Sequence, residues 1–84
     1  MSIFTEQVKA YVRTIPKGET RSYSEVALAI GRPNSFRAVA NVMAGNYDQT
    51  VPCHRVIRAD GSLGGYNRGG ERRKRALIAL EQLI

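Results

Sequence analysis

The sequence predicts a mainly α domain, a winged-helix-like helix-turn-helix with a short extended segment that carries the only cysteine. Apolar residues recur at helical spacing in four segments of the chain. A tight turn with Gly31 and Pro33 joins the second and third segments, as in a helix-turn-helix. Residues 51–57 lie between a polar loop and a series of glycine turns, and we expect them to hold the extended piece.

The first two helices have clear boundary signals. The first should span residues 3–14, because Pro16 and Gly18 end it. Its expected buried residues are Phe4, Val8, Tyr11, Val12 and Ile15. The second should open at a capping box over residues 22–25 and close at Gly31. Its expected buried residues are Tyr23, Val26, Ala27 and Ile30.

The third and fourth helices are predicted in the same way. Asn34 or Ser35 should cap the third helix, and Gly45 should end it. Its expected inner residues are Phe36, Val39, Ala40 and Met43. The last helix should span residues 71–83, with the basic run 72–75 as a solvated face. Its expected inner residues are Ala76, Leu77, Leu80 and Leu83.

Composition indicates one globular domain with a positive field. The 84 residues include 13 Lys and Arg against 7 Asp and Glu, a net charge of +6 that suits a polyanion such as nucleic acid but is also common in small proteins that bind nothing specific. One cysteine forms no internal disulfide, and no spacing of Cys and His suits a metal. A free thiol fits a reducing compartment, and we see neither a signal peptide nor a membrane span. We therefore expect a cytoplasmic protein, or one located with DNA in the nucleoid or nucleus.

The only cysteine stands directly beside the only histidine, at Cys53 and His54. A thiol becomes a good nucleophile when it loses its proton, which a neighbouring imidazole or cation favours. A lone cysteine is more commonly a small buried residue, and a histidine can be an ordinary core residue. Adjacent residues on a strand point to opposite faces, so contact between these two needs a turn or a bridging water.

The outer face of the third helix is nearly bare. At helical spacing Arg37, Ala38, Asn41, Ala44 and Gly45 share one side. Small side chains let a helix approach its partner closely, although alanine also suits packing against the rest of the protein. In a basic helix-turn-helix domain we favour a DNA-facing surface.

Four ordered motifs resemble the O6-alkylguanine-DNA alkyltransferases, which move an alkyl group from damaged guanine to a cysteine of their own. They lie at residues 18–23, 37–39, 52–56 and 60–66. The resemblance covers most of the chain. It implies that residues 1–84 are the family's C-terminal, DNA-binding and reactive domain alone, without the usual N-terminal domain.

The resemblance implies a chemical role for four residues. Cys53 is the alkyl acceptor, and His54 takes its proton through a water. Glu81 orients His54. Tyr23 pushes on the phosphate of the flipping nucleotide and supports guanine as a leaving group.

The resemblance also implies how DNA is held. The third helix enters the minor groove of double-stranded DNA containing O6-alkylguanine, and Arg37 fills the gap left by the rotated base. Ala38 and Asn41 face DNA beside it. The implied alkyl pocket consists of Met43, Asn46, Val56 and Tyr66.

The implied activity is direct DNA repair by a monomer, one transfer per molecule, with no metal or cofactor. The alternative is an alkyltransferase-like lesion sensor, a class that binds alkylated guanine, lacks the cysteine and transfers nothing. A third possibility, a plain winged-helix module with an inert thiol, does not explain the order of the four motifs.

Two departures from the family pattern concern loops. Tyr47 follows Asn46 where the family has proline, and this loop is one residue shorter. We therefore expect a more open or more mobile alkyl pocket. Residues 67–70 run one residue longer before the last helix, which places Glu81 one position later than in the family.

Overall fold

The computed structural model describes residues 2–63 and 69–83 and confirms the mainly α class. In this part of the chain the helices are α1 (Ile3–Arg13), α2 (Tyr23–Ala29), α3 (Phe36–Ala44) and α4 (Gly70–Gln82). The strands are β1 (Arg21–Ser22) and β2 (Val56–Ile57), and a 3-10 turn spans Cys53–Arg55. None of the described helices is long and apolar enough to cross a membrane.

The start of the helix-turn-helix is fixed by the predicted capping box. The Glu25 N–H donates to the Ser22 hydroxyl at 3.0 Å, and the Ser22 N–H donates to the Glu25 carboxylate at 3.3 Å. Both halves satisfy N–H groups that the first turn of α2 leaves unpaired. The box sets Tyr23 as the first residue of α2.

The turn and the start of α3 follow from local sequence. Gly31 has φ +78°, a left-handed conformation that glycine adopts without steric cost. Ser35 occupies the N-cap position of α3, although its side chain makes no capping hydrogen bond.

A short parallel strand pair joins two distant parts of the chain. Arg21 pairs with Val56, and Ser22 pairs with Ile57. Because α2 starts directly after β1, this parallel register places Tyr23 near Arg58, the residue that follows β2, while the turn that carries Cys53 directly precedes β2. The pair therefore brings the helix-turn-helix to the turn that carries Cys53.

The core lies between α1, α2 and α3 and extends to the cysteine segment. Its buried residues are Val8, Val12, Ile15, Val26, Ala27, Val39, Met43, Val51, Cys53 and Val56. The expected inner faces of α1 and α2 are confirmed, with their aromatic members packed at the core's edge. The prediction for Phe36 was wrong: it is 44% exposed, because the first turn of α3 lies beyond the core that Val39 and Met43 reach.

The expected inner face of α4 was also wrong in most positions. Leu80 and Leu83 are 61% and 82% exposed, and Ala76 is exposed as well. The side that faces the protein instead carries Lys74, Leu77, Ile78 and Glu81. Two of these four are ionisable, and their polar partners come from other elements. A prediction from hydrophobicity alone therefore placed the wrong side of α4 against the protein.

Candidate active site and nucleic-acid interface

Cys53 begins a 3-10 turn rather than lying on a strand. Its side chain is 4% exposed, and its N–H donates to the Val51 carbonyl at 2.8 Å. The expected extended segment is therefore limited to Val56–Ile57, and the cysteine precedes it. This is the turn that the sequence required before His54 could share a site with its neighbour, since a strand would direct the two side chains apart.

His54 is held by the carboxylate predicted for it. Its Nε2 lies 3.0 Å from Glu81 Oε2, and both side chains are 13% exposed. An ionised carboxylate only accepts hydrogen bonds, so Nε2 carries a hydrogen. When the ring is neutral, Nδ1 is the nitrogen able to accept a proton.

A second cation holds the same carboxylate. Arg55 donates to Glu81 through Nε at 2.9 Å and Nη2 at 2.7 Å, and through Nη1 to the Ile15 carbonyl at 2.9 Å. The Arg55 hydrogen bonds are the main reason that the pKa of Glu81 is lowered to about 2, and His54 adds to the effect. Glu81 therefore stays ionised across the neutral range and accepts hydrogen bonds from both His54 and Arg55.

Lys74 is a site residue that the sequence analysis missed. Its side chain is 1% exposed, while Arg72, Arg73 and Arg75 around it are exposed, so the solvated-face prediction fails for Lys74 alone. Its ammonium donates to the Leu63 carbonyl at 2.6 Å. The available signal was spacing, since residues 74, 77, 78 and 81 lie on one helical face.

The Lys74 ammonium connects Tyr23 with the cysteine. It lies 3.5 Å from the Tyr23 hydroxyl oxygen and 5.7 Å from the centre of the Tyr23 ring. Burial lowers the pKa of Lys74 to about 8, and attraction to Cys53 acts in the opposite direction. A thiolate at Cys53 and this ammonium would therefore attract each other.

Tyr23 faces the same region from the start of α2. Its ring is half-buried, and burial raises the pKa of its hydroxyl. The Arg58 guanidinium acts to lower this pKa, and the charge of a Cys53 thiolate acts to raise it. The parallel strand pair and the capping box fix Tyr23 beside the end of β2, and the turn that carries Cys53 leads into the start of the same strand.

The outer face of α3 is open to a partner. Arg37, Ala38, Asn41, Ala44 and Gly45 are all exposed. Packing of this face against the rest of the protein, the alternative interpretation of its small residues, is therefore wrong for the part of the chain described. The face remains available for close approach by a nucleic acid.

The expected alkyl-pocket residues that the structure describes lie in two places, the buried core and the loop after α3. Met43 and Val56 belong to the buried core that also contains Cys53. Asn46 is 1% exposed, accepts from the Asp48 N–H and donates to the Asp48 carbonyl, both at 3.2 Å. Tyr66 lies outside the described residues. Within the described ranges, no cluster of three His, Cys, Asp or Glu residues could hold a metal ion.

Comparison with known proteins agrees with this arrangement. Residues 3–83 match the family model for the DNA-binding domain of 6-O-methylguanine DNA methyltransferase. The chain belongs to this family.

Within the 6-O-methylguanine DNA methyltransferase family, two curated relatives are about half identical to this chain. The bifunctional transcriptional activator/DNA repair enzyme Ada of Escherichia coli is 51% identical over 93% of this chain and 22% of its own length. A methylated-DNA--protein-cysteine methyltransferase of Mycobacterium tuberculosis is 50% identical over 94% of this chain and 48% of its own length. The chain thus spans half or less of each of these relatives.

Complexes with DNA are among the solved structures similar to this chain. The crystal structure of M. tuberculosis OGT in complex with DNA has a TM-score of 0.92, with 49% identity over 99% of this chain and 52% of that one. The structure of S. pombe Atl1 with damaged DNA containing O6-carboxymethylguanine has a TM-score of 0.85. It is 31% identical over 96% of this chain and 77% of that one.

Proposed function

We propose that this protein repairs DNA directly, by moving an alkyl group from O6-alkylguanine to Cys53 once per molecule. The observation that carries the proposal is the buried Cys53 beside His54, whose Nε2 is held 3.0 Å from the ionised Glu81. Membership of a methyltransferase family, and relatives named as methylated-DNA--protein-cysteine methyltransferases, support the same chemistry.

The proposed transfer begins with a proton. His54 Nδ1 accepts the thiol proton of Cys53 through a bridging water, and Glu81 and Lys74 favour the resulting imidazolium and thiolate. The sulfur then attacks the alkyl carbon, so that a carbon–sulfur bond forms while the bond from that carbon to O6 breaks. The electron pair of the broken bond leaves with guanine.

Tyr23 is proposed to assist the leaving guanine by donating a hydrogen bond to it. Lys74 donates to the Tyr23 oxygen, which polarises the hydroxyl and strengthens it as a donor. The first residue of a capped helix holds this hydroxyl in place beside the reactive turn. Tyr23 thus has a chemical role in addition to contacting the flipped nucleotide's phosphate.

The proposed DNA complex places α3 in the minor groove of the duplex, bound by a monomer. Ala38 and Asn41 allow close approach, and Arg37 fills the stack that the rotated guanine leaves. The net charge of +6 supplies attraction to the phosphates, which are shared by every sequence. Lesion recognition then depends on which base rotates into the pocket.

The direct test is the intact mass of the protein after incubation with duplex DNA containing O6-methylguanine, under reducing conditions. We expect a gain of one methylene group per molecule, located at Cys53 by peptide mapping. The Cys53→Ser variant should gain no mass yet bind the duplex with unchanged affinity, because phosphate contacts hold DNA. An unmodified Cys53 in the presence of excess substrate would refute the proposal.

A lesion-sensing function is the second candidate, because the Atl1 structure with damaged DNA matches most of both chains. A sensor would bind duplexes with O6-alkylguanine more tightly than undamaged duplexes and leave Cys53 unmodified. The mass measurement and a binding titration on the same sample therefore separate the two functions.

A further inference from the structure

A cavity of about 510 Å3 opens beside the proposed reactive site, between the start of α3 and the turn after β2. Its volume lies in the range of roughly 300–1,000 Å3 that is common for ligand sites. The lining is mostly apolar, and two arginines border it. Its lining includes Tyr23, Phe36, Arg37, Ala40, Arg58 and Asp60.

Arg58 is the arginine of this cavity to which the proposed function gives no role. Its backbone is fixed at the base of a turn, since its N–H donates to the Ser62 carbonyl at 2.9 Å and its carbonyl accepts from Gly61 at 3.0 Å. Its side chain is exposed. Burial raises the pKa of Tyr23 and lowers that of Lys74, and the Arg58 guanidinium acts to lower both. Its positive charge therefore reaches the mouth of the reactive site.

Phe36 forms an apolar wall of the same cavity. The ring is 44% exposed. The Arg37 guanidinium carbon lies 6.0 Å from the ring centre, at the limit of a cation–π contact. Phe36 thus offers an exposed apolar surface in the cavity that Arg37 and Arg58 also line.

We propose that this cavity binds the DNA backbone next to the extruded nucleotide, with Arg58 on a phosphate and Phe36 against the adjacent deoxyribose. This inference depends on the proposed DNA-repair function. Two cations around an apolar floor match an alternating chain of phosphates and sugars. The rim also carries Asp60, whose carboxylate accepts from the Ser62 N–H at 2.9 Å and from the Ser62 hydroxyl at 2.7 Å. Two arginines against this carboxylate leave a net positive charge among the described lining residues.

The experiment measures affinity for a duplex containing O6-methylguanine at a series of salt concentrations. Arg58→Ala is compared with Arg75→Ala, which removes the same charge from the outer face of α4, where Arg75 pairs with Glu71 at 3.0 Å. Loss of one phosphate contact should reduce the salt slope by about 1 for Arg58→Ala and leave Arg75→Ala like the wild type. Arg58→Lys should restore the slope.

Transfer rates complete the test. Arg58→Ala should slow transfer from subsaturating duplex about tenfold and change the reaction with the free base O6-benzylguanine much less, since the free base has no phosphate. Phe36→Ala should weaken duplex binding equally at every salt concentration, because it removes no charge.

An unchanged salt slope for Arg58→Ala, or equal losses for Arg58→Ala and Arg75→Ala, would overturn this inference and leave the proposed function standing. Failure of the wild type itself to bind damaged duplex would overturn both. Circular dichroism of each variant verifies that the fold is retained.

Discussion

The hydrophobic effect does not explain why the charged end of Lys74 is buried. Enclosing a charged ammonium costs free energy that an apolar side chain of similar length would not cost. Hydrogen bonds to the Leu63 carbonyl and the Tyr23 hydroxyl offset part of that cost. A buried cation beside a nucleophile can instead serve the reaction, by stabilising the negative charge that forms on sulfur.

We predict that Lys74→Met separates stability from activity. Transfer from O6-benzylguanine should slow on the order of 100-fold, the usual loss when one electrostatic contact to a reacting group is removed. The free energy of unfolding should stay equal or rise, because a buried charge is removed. Stopped-flow or gel-based rates and urea denaturation on the same variant measure the two effects. Parallel losses of rate and stability would show that Lys74 only supports the fold.

The pKa of Lys74, about 8, adds a pH dependence. Lys74 is charged below that pH and neutral above it, so its stabilisation of the thiolate is lost above pH 8. The transfer rate of the wild type should therefore gain less than that of Lys74→Met as the pH rises above 8. The effect on stability has the opposite sign. The unfolded chain keeps the Lys74 proton up to about its ordinary pKa of 10.5, while the folded chain loses it near pH 8, so the free energy of unfolding rises between these pH values. Urea denaturation from pH 7.5 to 10.5 should show this rise in the wild type and not in the variant.

Arg37 gives a prediction that distinguishes base extrusion from chemistry. Arg37→Ala should slow repair of duplex DNA by about 10- to 100-fold, because unstacking a base costs a few kcal/mol that the side chain no longer offsets. Reaction with O6-benzylguanine needs no extrusion and should keep its wild-type rate. Equal losses on the two substrates would mean that Arg37 supports only the fold.

At the scale of elements, the loop after α3 is held by side chains in place of a proline. Asp48 accepts from the Thr50 N–H at 2.9 Å and the Thr50 hydroxyl at 2.7 Å, and Asn46 bonds to the Asp48 backbone. Arg13 adds an ion pair to Asp48 at 3.3 Å, which is weak because both side chains are about 40% exposed. The loop therefore depends on polar bonds that water can replace.

The expected open or mobile alkyl pocket remains a prediction, and substrate size tests it. We expect benzyl adducts to react at rates comparable with methyl adducts, and both more slowly than in a two-domain relative. Asp48→Ala should increase the benzyl-to-methyl ratio further while DNA affinity is kept, because Asp48 is not one of the residues on the outer face of α3. Competing rate measurements on the two substrates decide it. A strong preference for methyl would indicate a tight pocket.

At the scale of the whole molecule, Glu81 is both the orienting carboxylate and a tertiary link. It binds His54 and Arg55 from α4, and Arg55 in turn binds the Ile15 carbonyl just beyond α1. Gly18 approaches the same region, where an added Cβ would lie 3.4 Å from the Glu81 carbonyl oxygen. Three separate parts of the chain are thus linked through Glu81 and Arg55.

We predict an acid transition governed by this carboxylate. The pKa of Glu81 is about 2 in the folded protein against an ordinary value of 4.5, so its contribution is complete above pH 4.5 and is lost as the pH falls toward 2. Glu81→Gln should lose about 2 kcal/mol of stability at pH 7 and depend less on pH below 4.5. Urea titrations at several acidic pH values give the comparison. Parallel curves for wild type and variant would contradict this assignment.

The sequence by itself determined the features whose causes lie within a few residues of one another. The capping box at residues 22–25 forms as expected, and Gly31 and Gly45 end their helices where predicted. The adjacency of Cys53 and His54, together with the resemblance of four motifs, indicated the family and named Glu81 as the partner of His54. These signals are local or are carried by residue identity, so they need no knowledge of packing.

Only the tertiary structure decided which side of α4 is buried, and why. Lys74 is enclosed because Tyr23, 51 residues away along the chain, and Leu63 supply its polar partners. Phe36 is exposed because the core ends before it, although its spacing matches Val39 and Met43. The burial of a charge or the exposure of an aromatic ring depends on what distant segments bring alongside, and periodicity within one helix does not contain that information.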